Sequence, residues 1–305
     1  MRFATLLHKI RSSLAATEQG VKFSQVVKLM DKSLIDLKAL SEPACKLIDA
    51  VSNSIGVVYE PTRIRRKAKA EAEALVVMAK GEEEALAARA AVRLSTQEIY
   101  RQENIESILD KSVRLVDESA KKYKTPPKRD WLSFFFDKCK DVSDQDVQSA
   151  WSSILAGEFD KPNSFRRVTL TVLQSMNESD VKLFEKYCAY VFRVNGKLMR
   201  IKFSAHNKEL AKKEIAEEEI LHLQDLGLLQ EPKLCHFKKS CTVIVEYGSD
   251  RFSSTFRSHR QNKAEYLTLA GRELYSIVTK KYSPKYGEIL LSRFQIMSKT
   301  RQKKT

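Results

Sequence analysis

Residues 63–119 read RIRRKAKAEAEALVVMAKGEEEALAARAAVRLSTQEIYRQENIESILDKSVRLVDES. The stretch holds no proline and a single glycine, Gly81, and it opens on the basic run Arg63-Ile64-Arg65-Arg66-Lys67-Ala68-Lys69. From Ile64 to Ser119 this is read as one uninterrupted helix, which at about 1.5 Å per residue would reach about 80 Å. Ala70 to Ala74 and Gly81 to Ala88 are rich in alanine and glutamate, residues of high helix propensity and little bulk. The apolar face is thin, made of Leu75, Met78, Leu86, Val92 and Leu94. Such a helix needs a partner helix or a second chain, so self-association through this stalk is expected.

On its N-terminal side, residues 1–61 form a helical region. Leu6, Leu7, Ile10 and Leu14 share one face, and Val26, Val27, Met30, Leu34 and Leu37 share another. Ser41-Glu42-Pro43 carries a cap, an acid and a first-turn proline, and so predicts a new helix whose apolar residues include Leu47, Ile48, Val51 and Ile55. Gly56 and Pro61 end it. The stalk is assigned to residues 62–125, closed by Thr125-Pro126-Pro127.

Residues 126–200 are expected to form a compact helical domain, because Trp131, Phe134, Phe135, Phe136, Val147, Trp151, Ile154 and Leu155 are too many large apolar residues for a linker. Ser143-Asp144-Gln145-Asp146 predicts a serine-capped helix to Ala156, ended by Gly157. Two more helices are read at Ser164–Ser175 and Ser179–Phe192. In residues 201–305 a helix from Asn207 to Leu226 ends at Leu226-Gly227-Leu228. The β-branched run Thr242–Tyr247 follows, and Glu265 to Leu274 leads into another helix. That order suggests a winged-helix-like α+β module with a basic tail. The expected fold is therefore mainly α: a long helical stalk, a compact helical domain and a C-terminal winged-helix-like module.

The chain has 305 residues, 43% of them hydrophobic, and a formal charge of +15. The charge is lopsided. Residues 1–120 carry 19 Lys and Arg against 17 Asp and Glu, whereas residues 121–305 carry 35 against 22. A basic half fits a nucleic acid, an anionic lipid or an acidic protein surface. The five cysteines, Cys45, Cys139, Cys188, Cys235 and Cys241, are odd in number and scattered, which is no disulfide framework. The N-terminus lacks the continuous apolar core of a secretory signal, and no stretch approaches the roughly 20 apolar residues of a membrane span. The expected location is cytoplasmic, with any membrane contact peripheral, at the inner membrane.

No catalytic constellation stands out. Nine glycines make neither a P-loop nor a dinucleotide-binding pattern. Cys235, His236 and Cys241, with His222 or His259, offer zinc-type donors, but the paired C-x-x-C spacing is missing, so no metal and no cofactor is assigned. Asp141, Asp144 and Asp146 read as helix-capping acids, and Trp131 and Trp151 as core rather than base-stacking platforms. Cations are the informative residues. Arg63, Arg65, Arg66, Lys67 and Lys69 form one polyanion-binding run. Lys238, Lys239, Arg251, Arg257, Arg260 and Lys263 surround the expected wing, and Lys299, Arg301, Lys303 and Lys304 lie in the tail. In an alternative reading residues 44–69 dock on anionic lipid, with Leu47, Ile48, Val51 and Ile55 facing the membrane.

Several of these residues carry a family resemblance. Gln102-Glu103-Asn104-Ile105-Glu106-Ser107-Ile108, Asp130-Trp131 to Phe136, Val142 to Gln148 with Trp151, and Ile154-Leu155-Ala156-Gly157-Glu158 are the first of them. Pro162-Asn163-Ser164-Phe165, Thr169-Leu170, Leu183-Phe184 and the pattern Thr268, Gly271, Glu273, Leu274 follow. Together they resemble an uncharacterised bacterial family, domain of unknown function 2806, over roughly residues 62–280. The resemblance implies an intracellular bacterial protein with no catalytic residues to carry over and a variable N-terminal region. The sequence departs from the family pattern at Arg166-Arg167. The functional expectation is a non-enzymatic cytoplasmic protein, oligomeric through its stalk, that binds a polyanion, with nucleic acid the first choice. The second reading is a membrane-surface adaptor that recruits a protein partner. The kind of family resembled adds a role in stress or phage defence, which comparing phage plaquing with and without the gene would test.

Overall fold

The computed structural model describes residues 41–56, 81–118, 125–201, 215–255 and 260–294. The expected helices before Ser41, the basic run Arg63–Lys69, the first part of the stalk, Arg257, His259 and the tail cations lie outside the described residues.

Helix α1 (Glu42–Ile55) starts as its sequence predicts, with Ser41 Oγ accepting a hydrogen bond from Ala44 N at 3.4 Å and Pro43 in the first turn. Helix α2 (Glu82–Glu118) has 37 residues, about 55 Å of helix. Its two halves differ. Leu86, Leu94 and Tyr100 are exposed, whereas Ile108, Leu109, Val113 and Val116 are buried at helical spacing. The C-terminal half is thus a wall of the core and not a free stalk.

Helices α3 (Arg129–Cys139), α4 (Gln145–Asp160), α5 (Arg167–Gln174) and α6 (Glu178–Cys188) complete the bundle around Trp151, Phe135, Phe159 and Phe184. Helix α4 lies along α2, and α1 packs on both α3 and α2. The cap of α4 is Asp144 rather than Ser143: its Oδ1 accepts from Asp146 N at 3.0 Å and Val147 N at 2.9 Å. The helix also runs past Gly157 to Asp160.

Residues 192–201 are a β-hairpin, not a helix end. Strands β1 (Phe192–Val194) and β2 (Lys197–Ile201) are joined by Asn195-Gly196, both with positive φ, the two-residue turn that matches the twist of paired strands. Helix α7 (Glu217–Asp225) follows. Strands β3 (Lys233–Phe237), β4 (Thr242–Tyr247), β5 (Asp250–Thr255) and β6 (Arg260–Tyr266) come next, then helices α8 (Leu269–Ile277) and α9 (Pro284–Arg293). All six strands form one antiparallel sheet in the order β3-β6-β2-β1-β4-β5.

This sheet overturns the expected fold class. The chain is a mixed α/β protein, and its C-terminal half is not winged-helix-like: a six-stranded antiparallel sheet takes the place of a small wing. The Leu226-Gly227-Leu228 turn that suggested the wing has a local cause. Thr268 Oγ1 donates to Gly227 O at 2.6 Å, pinning the end of α7 to the start of α8.

The sheet is curled. Strands β3 and β4 are separated by three others, so a flat sheet with strands about 4.8 Å apart would demand about 19 Å between them. Their connection is residues 238–241, and Cys241 N donates to Lys238 O at 3.2 Å, which folds it into a tight turn too short for that span. Curling brings distant strands onto the end of α9. The Phe294 ring lies 5.4 Å from Phe237 of β3 and 5.8 Å from Phe192 of β1, and Ser254 Oγ of β5 donates to Phe294 O. A second core forms inside the curl from Phe192, Met199, Val245, Phe252, Tyr286 and Leu290.

Candidate functional site

Because side chains alternate along a strand, the sheet's second face carries Leu234, His236, Gln261, Lys263 and Glu265 on β3 and β6, Leu198 and Arg200 on β2, and Ile244, Glu246 and Arg251 on β4 and β5. Its central part lies under the helices. Leu198 packs against the helical core, and the Arg200 guanidinium sits 5.8 Å above the Tyr187 ring of α6. Arg200 Nη1 donates to both oxygens of Glu265, at 2.7 and 2.9 Å.

Toward the β3 edge the same face emerges into solvent. Register places Leu234 opposite Lys263 and His236 opposite Gln261, and all four are exposed. Leu234 is 62% exposed. Lys238 and Lys239 continue the strip in the exposed turn after β3. Among the described residues, no carboxylate lies within ion-pair distance of Lys238, Lys239 or Lys263. Glu265, two residues along β6 from Lys263, is held by Arg200.

Arg251 differs from these lysines in being paired. It lies on β5, with Nε 3.5 Å from Glu246 Oε1, and Arg193 Nε is 3.4 Å from Glu246 Oε2. Arg260 opens β6 opposite Phe237. The structure therefore pairs Arg251 with a carboxylate and leaves Lys238, Lys239 and Lys263 without one among the described residues. Sequence reading missed Leu234, His236 and Gln261 as neighbours of these lysines. No local alternation marked them: in Lys233-Leu234-Cys235-His236-Phe237 the apolar Leu234 falls on the exposed face, so only the pairing of β3 with β6 brings these residues together.

The lipid-facing candidates sit inside the protein. Leu47 and Val51 are fully buried, Ile48 and Ile55 pack against the helical core, and α3 and α2 cover that face. This placement gives the membrane reading no support, and no described helix is long and apolar enough to cross a membrane.

The other sequence candidates resolve into structural roles. Cys235 points toward the inner core while His236 points outward, so the two cannot share one ion, and no group of three potential metal ligands occurs among the described residues. Asp141 pairs with Arg101 at 2.7 Å, Asp144 caps α4, and Asp146 pairs with Lys182 at 3.3 Å. Trp151 is fully buried, and Trp131 stacks on Phe135 and donates to Phe165 O at 2.8 Å. His222 Nε2 lies 2.6 Å from Asp180 Oδ1, a pairing that could orient a catalytic imidazole. Among the described residues no hydroxyl or thiol bonds to that imidazole, and Asp180 also caps α6 through Asn177 N.

The residues that carry the family resemblance are likewise scaffold. Gln148 of α4 bonds Ser107 at 2.7 Å and Asn104 at 3.3 Å across to α2. The buried Glu158 carboxylate accepts three backbone N–H groups, those of Asn163, Ser164 and Phe165, at 2.6, 2.9 and 3.0 Å. Glu273 accepts from Thr169 Oγ1 at 2.5 Å and Arg166 N at 2.9 Å, joining α8 to the start of α5.

The fold and the strip together define a helical bundle fused to a curled antiparallel sheet with one exposed basic border. The chain belongs to the DUF2806 family, described as a protein of unknown function, whose model matches residues 88–291. No curated protein and no solved structure matches the chain.

Proposed function

We propose that this is a non-enzymatic binding protein that engages a polyanion, nucleic acid before other candidates, through the border of its sheet formed by Lys238, Lys239 and Lys263. The observation that carries the reading is the sequestration of Glu265. The carboxylate closest to Lys263 along β6 is bound by the buried Arg200, which leaves the exposed Lys263 ammonium available to an outside partner. The C-terminal excess of basic residues supports the same reading through the field it adds around the strip. Self-association through α2 belongs with it, since Leu86 and Leu94 stand exposed on the N-terminal half. Sedimentation of Leu86→Glu/Leu94→Glu beside wild type tests that part.

The test of the main reading is binding of random-sequence DNA and RNA at several salt concentrations. Each lost phosphate contact should flatten the log–log salt slope by about 0.7 to 0.9. Lys238→Ala/Lys239→Ala/Lys263→Ala should therefore lower it by about 2, while Arg251→Ala, removing a cation already paired with Glu246, should change it little. Equal binding by the triple variant and wild type would refute the assignment.

A further inference from the structure

We infer that the β3–β6 strip takes single-stranded rather than duplex nucleic acid, with His236 and Leu234 as base-contacting residues and Gln261 as a base-edge reader. This rests on the polyanion reading above and adds the class of ligand.

A surface that held only phosphates would gain nothing from Leu234, 62% exposed and set directly opposite Lys263, whereas an unstacked base offers an apolar face to cover it. The pair formed by His236 and Gln261 lies two residues along the strands, about 7 Å away, on the same face. An imidazole can stack on a base, and a primary amide both donates to and accepts from its edge. Two base-contacting positions in a row, bordered by Lys263 on one side and by Lys238 and Lys239 beyond the strand end, match the stacking platform with basic flanks that holds single strands.

The shape argues against a duplex. Reading a major groove takes a protruding helix or a two-stranded ribbon. Here the exposed residues lie on the surface of a six-stranded sheet, and the β3–β4 connection is a tight turn. Bases paired inside a duplex could not reach Leu234 or His236.

The full-length protein is titrated by fluorescence anisotropy with a labelled single-stranded DNA, the matching RNA, and the duplex of the same DNA sequence, at one fixed salt concentration. Single strands should bind at least tenfold tighter than the duplex. His236→Ala and Leu234→Ala should each weaken single-strand binding about fivefold with an unchanged salt slope, and His236→Phe should restore or exceed wild-type affinity. Both positions are exposed, and thermal melts of each variant confirm that the fold is kept. Binding of duplex as tightly as single strands overturns this inference while leaving the polyanion reading intact, as does a single-strand preference untouched by the substitutions at 234 and 236. Failure of wild type to bind any of the three overturns both.

Discussion

Arg200 Nη1 lies 2.7 Å from one oxygen of Glu265 and 2.9 Å from the other, in an ion pair whose side chains are 2% and 11% exposed. The pair joins β2 to β6 beneath Tyr187 of α6, so the sheet meets the bundle through charge as well as through apolar packing. Removing one member strands the other in a dry setting. Arg200→Met should cost about 3 to 5 kcal/mol of stability in urea unfolding, and the double change Arg200→Met/Glu265→Leu should recover most of the loss. A freed Glu265 carboxylate would also sit near Lys263, so Arg200→Met protein that remains folded should bind nucleic acid more weakly. Unchanged stability of the single variant would refute the structural role.

Two glycines give a contrast in magnitude. A Cβ at Gly271 would lie 2.2 Å from Leu228 O, which is backbone already engaged by Thr268 N. One at Gly157 would lie 2.8 Å from the Phe165 ring. Backbone cannot swing aside, so Gly271→Ala should destabilise by about 3 kcal/mol, at the upper end of overpacking costs. For Gly157→Ala the ring must shift, but alanine in a helix regains about 1 kcal/mol over glycine, so the net change should be under about 1.5 kcal/mol. Comparable losses in the two melts would contradict this.

Helix starts were legible because they depend on a few adjacent residues: the cap of α1 at Ser41 and the acid-rich start of α4 both read directly from the sequence. The bundle core was legible in Trp151, Phe135 and their neighbours for the same reason, that burial follows local apolar density. The sheet was not. Strands β1 and β2 are short and carry Arg193, Lys197 and Arg200, whose charges hide the alternation, and Arg200 is buried only because Glu265 arrives from residues far along the chain. Asn195-Gly196 was the overlooked hairpin signal. The lysines of the strip could be listed from composition. Placing Lys263 beside β3, and Arg251 against Glu246, required strand pairing, which no local pattern encodes.

Glu158 closes the loop that follows α4, with both carboxylate oxygens accepting from backbone N–H groups. Glu158→Ala would leave three donors without their acceptor, and a loss of about 3 kcal/mol is expected. Glu158→Gln keeps one carbonyl oxygen and should lose less. Hydrogen exchange offers the sharper readout: the amides of Asn163, Ser164 and Phe165 should exchange faster in the alanine variant, and unchanged protection there would rule the staple out.

Burial raises the thiol pKa of both Cys139 and Cys188, and neither is exposed. Cys45, Cys235 and Cys241 are partly exposed. A thiol reagent added to the native protein should thus modify at most three of the five cysteines, with the remaining two reacting only as the chain unfolds. Rapid modification of all five without denaturant would place Cys139 or Cys188 at the surface.

Alkaline pH should loosen the joint between the sheet and α9. Tyr247 OH donates to Ala189 O at 2.8 Å and accepts from Ser283 N at 2.9 Å, and burial pushes its pKa up to about 12. Burial also raises Tyr187 and Tyr275. An unfolded tyrosine ionises near pH 10, so between there and about pH 12 the folded state binds more protons than the unfolded one, and stability falls as pH rises. Below about pH 10 these phenols contribute no pH dependence. A tyrosinate absorbance titration should show a late, cooperative group of phenols that coincides with loss of structure by circular dichroism. Tyr247→Phe should lower overall stability through its two lost hydrogen bonds and make the alkaline transition shallower. An alkaline transition identical in slope to wild type would remove Tyr247 from its cause.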